Sequence, residues 1–189
     1  MQKNKIEEVE GVPMRGHVTV TKYEGFKDSK SILDLHLGKK RTPSGIIVAE
    51  KENLIVYTGK MIMAHLLGND PLAAPIRYMA FGSGLDAAVV EDVDLGIEEF
   101  REPVIYSYDN GSPNYSVTFT AAVLADEHPS VDSISEIGLC TKPVWANPTA
   151  ETMDLFSHVT FPSVFFSSNA PVSMGLVVDW EIVFEAIGN

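Results

Sequence analysis

Period-two alternation of apolar residues is the feature that most narrows what this chain can fold into. Met174, Leu176, Val178, Trp180, Ile182 and Phe184 occupy every second position of one segment. Tyr115, Val117, Phe119, Ala121 and Val123 do the same in another, with Ser116, Thr118 and Thr120 between them. Only an extended strand places residues i and i+2 on one face, so both segments read as half-buried β-strands. Trp180 and Phe119 are then expected to face the core. An apolar sheet face has to be covered by another layer, and a chain dominated by such strands predicts an antiparallel β-sandwich. Ile76–Phe81 adds an apolar run of strand length, stopped by the turn Gly82-Ser83-Gly84.

The rest of the chain fits around those strands. Residues 1–16 mix Glu7, Glu8 and Glu10 with Lys3, Lys5 and Arg15 and hold few apolar groups. They are expected to form an extended N-terminal arm that orders against a neighbouring subunit, ahead of a single sandwich domain at 17–189. His17–Tyr23 alternates and is β-branched, Glu24–Asp28 reads as a turn, and Ile32–Leu37 reads as a second strand. Gly59–Leu67 is the one helix expected, with Met61, Ile62, His65 and Leu66 on its inner face, Thr58 as N-cap and Gly68 as C-cap. An acidic loop, Asp86 to Glu99, should lead into a strand holding Phe100, Val104, Tyr106 and Tyr108, confined by Pro103 to an edge or bulge. Ile134–Cys140 follows, with a bulge suggested at Gly138. Leu155, Ser157, Val159 and Phe161 share a face of a strand that Pro162 should end.

Composition excludes several function classes. A net charge of −12 leaves little for phosphate contacts, so nucleic acid is not expected as a partner. No apolar run is long enough for a membrane span, and acids rather than an apolar stretch follow Met1–Lys5, so no secretory signal is expected. Cys140 is the only cysteine, which rules out an internal disulfide and suits synthesis in a reducing cytoplasm. Lys39-Lys40-Arg41 is the one local basic cluster and a candidate contact with acidic surfaces.

No constellation of catalytic residues emerges. His17, His36, His65, His128 and His158 show no metal-ligand spacing. His65 is expected as a core histidine, His158 has only Asp154 nearby in sequence, and Cys140 has no adjacent activator. Gly82-Ser83-Gly84 is neither a phosphate loop nor a nucleophile elbow. Asp86, Glu91, Asp92 and Asp94 could supply oxygen ligands to Ca²⁺, but their spacing matches no calcium loop. The expectation is a protein without catalytic residues, cofactor or metal. Loop aromatics, Trp145 between two prolines and Tyr108 beside Asn110-Gly111, are candidate contacts with a partner or a glycan.

The order of motifs nevertheless resembles a known group. Asn53-Leu54-Ile55 with Gly59, then Phe81-Gly82-Ser83-Gly84, Asp94-Leu95 with Glu98 or Glu99 and Arg101, Val117-Thr118-Phe119-Thr120-Ala121, Ile134-Ser135-Glu136-Ile137-Gly138-Leu139, and Trp180-Glu181-Ile182-Val183-Phe184 follow one another. This succession over residues 53–184 is similar to that of tailed-bacteriophage structural proteins. Leu85-Asp86 after Gly84, and Cys140 in place of an aromatic, depart from the group's usual pattern. The resemblance implies a non-enzymatic virion component made in the bacterial host cytoplasm. It does not say which component; a short, acidic chain without heptads or fibrous repeats favours a capsid decoration (cement) protein, with the major capsid protein or other virion subunits as partners and homo-oligomers, trimers among them, as assemblies. A collar, tail or fibre-associated protein, or a receptor- or carbohydrate-binding β-sandwich, is the alternative.

Overall fold

The computed structural model describes residues 14–38, 45–70, 74–109, 111, 115–143 and 154–184. Lys39, Lys40, Arg41 and Trp145 lie outside that set, as do residues 1–13 of the expected arm. Among the described residues, ten strands form two five-stranded sheets in which every pairing is antiparallel. In the first sheet the order is β2 (Ile46–Glu52), β1 (Met14–Glu24), β10 (Met174–Phe184), β7 (Tyr115–Leu124) and β6 (Ile105–Asp109). In the second it is β3 (Leu54–Ile55), β9 (Leu155–Phe165), β8 (Ser133–Cys140), β4 (Tyr78–Gly82) and β5 (Glu98–Pro103). The expected β-sandwich is therefore the fold. Met14–Gly16, assigned above to the arm, already belong to β1.

The main core lies between the sheets. Val18, Val20, Phe119, Ala121, Val123, Leu176, Val178, Trp180 and Ile182 come from the first sheet. Met79, Phe81, Ile137, Leu139, Val159 and Phe161 meet them from the second. Trp180 is fully buried and Phe119 nearly so, as the alternation requires.

Among the described residues two α-helices, not one, accompany the sheets. The segment read as a strand at Ile32–Leu37 is α1 (Ser29–His36). Asp28 caps it, accepting the Ser31 N–H at 2.7 Å, and Ile32 and Leu35 (spaced i, i+3) are its buried residues. They cover the outer face of the first sheet together with Tyr23, Leu124 and Val177. The second helix, α2 (Tyr57–Leu67), begins after Val56, so Thr58 lies inside it rather than at its cap. Gly68 is the C-cap, as read from the sequence. The buried face is Thr58, Gly59 and Ile62, while Met61 and Leu66 are exposed. Gly59 sets that rotation. A Cβ there would lie 2.0 Å from the Phe156 carbonyl oxygen, so the helix backbone itself rests on β9.

Three strand assignments need correction. Phe100 and Tyr108 do not share a strand: the chain leaves the second sheet at Pro103 and joins the first at Ile105, with the Val104 N–H donating to the Arg77 carbonyl. Pro162 does not end β9. The β8–β9 register slips between Ile134 and Glu136, and Pro162 sits in that irregularity, where a missing N–H is tolerated. The break in period belongs there and not to Gly138. A second slip, between Leu139 and Cys140, turns Leu155 away from the main core into a smaller cluster with Val56, Ala80, Leu95 and Cys140.

Candidate functional site

Two of the motifs, Phe81–Gly84 and Ile134–Leu139, meet at one place. Glu136 points from β8 beneath the 84–97 loop, where its carboxylate accepts the N–H groups of Gly84 (2.8 Å), Gly96 (2.9 Å) and Ile97 (2.7 Å). Ser135 donates to the Gly84 carbonyl at 2.8 Å. Any Cβ at Gly82 or Gly84 would collide with the Glu136 side chain, so the glycines and the acid fit as a unit. His158 on β9 completes it: Nε2 lies 3.1 Å from Glu136 and Nδ1 2.7 Å from Asp92. Carboxylates only accept, so both ring nitrogens carry protons and His158 is an imidazolium between two anions. Burial opposes that charge, but the two carboxylates outweigh it and raise the His158 pKa. Burial likewise disfavours the Glu136 anion, yet His158 and the three N–H groups hold its pKa down at about 2.

This arrangement fastens a loop; it leaves no ring nitrogen to accept a proton. Asp92 Oδ2 takes both the His158 contact and the Val89 N–H. Among the described residues no cluster of His, Cys, Asp and Glu is arranged to hold a metal. Asp154, read above as the neighbour of His158, instead meets Arg101 NH1 at 2.6 Å, and Glu98 holds the same guanidinium through two oxygens. His65 is not a core residue but pairs with Asp70 at the surface (2.6 Å). His36 lies between Asp179 (2.5 Å from Nε2) and the Tyr23 hydroxyl (2.8 Å from Nδ1). Cys140 is buried, and burial pushes its thiol pKa up, away from the reactive thiolate.

The surface offers something different at β6. Tyr106 and Tyr108 stand opposite Phe119 and Val117 of β7, hence on the core-facing side of the sheet. Yet they are 61% and 69% exposed, because β6 extends past the cover of the second sheet. Tyr115 and Phe184, paired across β7 and β10, are exposed at the adjoining end of the same face. Between this aromatic row and α2 lies a cleft of about 310 Å³, lined by Met63, Leu66, Ile76, Arg77, Tyr106, Tyr108, Val117 and Phe156 among others. Tyr108, the one candidate contact residue within the described set, lines this largely apolar cleft. Tyr106 was read only as a strand residue. The signal that could have marked it is its i, i+2 spacing from Tyr108, just ahead of Asn110-Gly111.

The four sheet edges differ in how they are blunted. Strand β3 has two residues, and β5 is charged and closes on Pro103. Strand β2 carries exposed Ile46, Ile47 and Val48, but a bulge at Val48 and the run Glu50-Lys51-Glu52 interrupt it. Strand β6 pairs with β7 in unbroken register and carries no proline, no lysine and a single charge, Asp109. Among the described residues it is the edge without a blocking device.

Comparison with family models, with curated proteins and with solved structures finds no match to this chain.

Proposed function

We propose that this protein is a non-enzymatic structural component of a tailed-phage virion, a capsid decoration protein that works through protein–protein contacts. The observation that carries this reading is the open β6 edge with its aromatic row and cleft. It is an apolar surface of the kind that subunit contacts cover. The ionisable groups inside the fold support it from the other side. Glu136, His158, Asp92, Arg101, Glu98 and Asp154 are all engaged with one another or with backbone, and they rigidify the sandwich. The order of motifs adds the virion context, and the major capsid protein is the partner it suggests.

Labelled intact protein mixed with undecorated capsids, with purified tails and with a glycan array tests this reading. Saturable binding to capsids is the expected result, weakened by Tyr106→Asp together with Tyr108→Asp. Binding to tails alone would move the protein to the collar or tail. Binding to a glycan alone would make it a receptor module.

A further inference from the structure

We infer that the β6 edge and its cleft receive residues 1–13 of a second copy of this chain, added as an antiparallel sixth strand of the first sheet. The inference rests on the assembly role proposed above and names the occupant of that same surface.

The first argument is placement. The chain enters the first sheet at Met14, opposite Phe184, and Phe184 lines the cleft. Strand β6 lies three strands away, about 14 Å at ordinary strand spacing. Thirteen extended residues reach about 40 Å, so length alone would also permit a contact within one chain, and direction has to decide.

Direction decides which copy supplies the segment. Strand β1 runs away from the end of the sheet where Met14, Phe184, Tyr115 and Asp109 lie, and β6 runs toward that end. A segment reaching β6 from its own Met14 would have to return along the edge parallel to β6. Every pairing in this sheet is antiparallel, and antiparallel pairing is the more stable per residue. Antiparallel addition requires the segment to come from another copy.

Charge sets the same polarity. The segment is basic at its start, with Lys3 and Lys5, and acidic later, with Glu7, Glu8 and Glu10. Laid antiparallel on β6, its lysines fall toward Asp109 and its acids toward the Ile105 end, where Arg77 lines the cleft. Laid parallel, both charges would be misplaced. Ile6 stands between the two blocks and is the apolar side chain placed at the middle of the segment, toward the cleft. This is β-augmentation, in which main-chain hydrogen bonds hold the strand and one pocket selects its side chain.

The test uses the full chain in sedimentation experiments. Wild type should self-associate with concentration. Ile6→Asp, and separately Tyr106→Asp with Tyr108→Asp, should each weaken association about tenfold or more. Mixing the two variants should restore a heterodimer, because one still has a sound cleft and the other a sound segment. A chain that stays monomeric, an Ile6→Asp variant that associates as wild type does, or a mixture that forms no heterodimer would each overturn the inference. A monomeric chain that still binds capsids through Tyr106 and Tyr108 would overturn it while leaving the assembly role standing. A self-associating chain that binds no virion part would do the reverse.

Discussion

Glu136 ties three separate pieces of chain, at Gly84, Gly96-Ile97 and His158, to one carboxylate, so its removal should be felt out of proportion to its size. Taking away one partner of a buried, hydrogen-bonded ion pair leaves the other charge uncompensated, which costs about 3–5 kcal/mol. Glu136→Ala should lose stability on that scale in urea denaturation. The pH dependence has two limbs. The His158 pKa is raised above 6.5, so its stabilising contribution is complete below that value and is lost as pH rises through the folded-state pKa. The Glu136 pKa is lowered from 4.5 to about 2, so its contribution is complete above 4.5 and is lost as pH falls toward 2. Stability from this group should therefore plateau between about 4.5 and 6.5. Denaturation midpoints of wild type and Glu136→Ala across pH check it: the variant should lose the acid limb, and parallel profiles would contradict the assignment. None of this was legible in the sequence. Asp92, Glu136 and His158 are far apart in sequence; the register of β8 on β9 brings Glu136 beside His158, and the 84–97 loop carries Asp92 to them.

Among the elements, α1 shows how periodicity can mislead. Leu33, Leu35 and Leu37 alternate with Asp34 and His36, a pattern that favours a strand over so short a window. The deciding signal lies upstream, in Asp28 with Ser31 three residues on, which satisfies the first turn of a helix. Asp28→Ala should cost about 1 kcal/mol, as loss of a cap does. The denaturant slope should be unchanged, because the helix remains docked through Ile32 and Leu35. An unchanged midpoint would show that the cap contributes nothing here. The α2 face was misread for a different reason: a glycine pressed on a backbone carbonyl overrides the apolar stripe, and hydropathy does not register close approach.

For the whole molecule, the alternating strands were readable because their period is a property of the sheet itself, and Trp180, Phe119 and Val178 lie where alternation puts them. The passage of the chain from β5 to β6, and hence the open edge bearing Tyr106 and Tyr108, was not readable, since Val104 continues the apolar pattern across the change of sheet. One further property follows from the pairing of β1 with β10 over eleven residues, from Met14↔Phe184 to Glu24↔Met174. Residues 14 and 184 are neighbours at one end of that ladder. Tension applied between them opens the ladder one rung at a time, so optical tweezers attached there should record peeling at low force. Handles at residues 14 and 174 sit at opposite ends and strain all the rungs together, so rupture should come at a markedly higher force. Equal forces in the two geometries would contradict this. The sandwich is thus mechanically soft when gripped by the two strand ends and stiff when sheared along the strands. A neighbour that must hold it against pressure gains most by gripping it lengthwise.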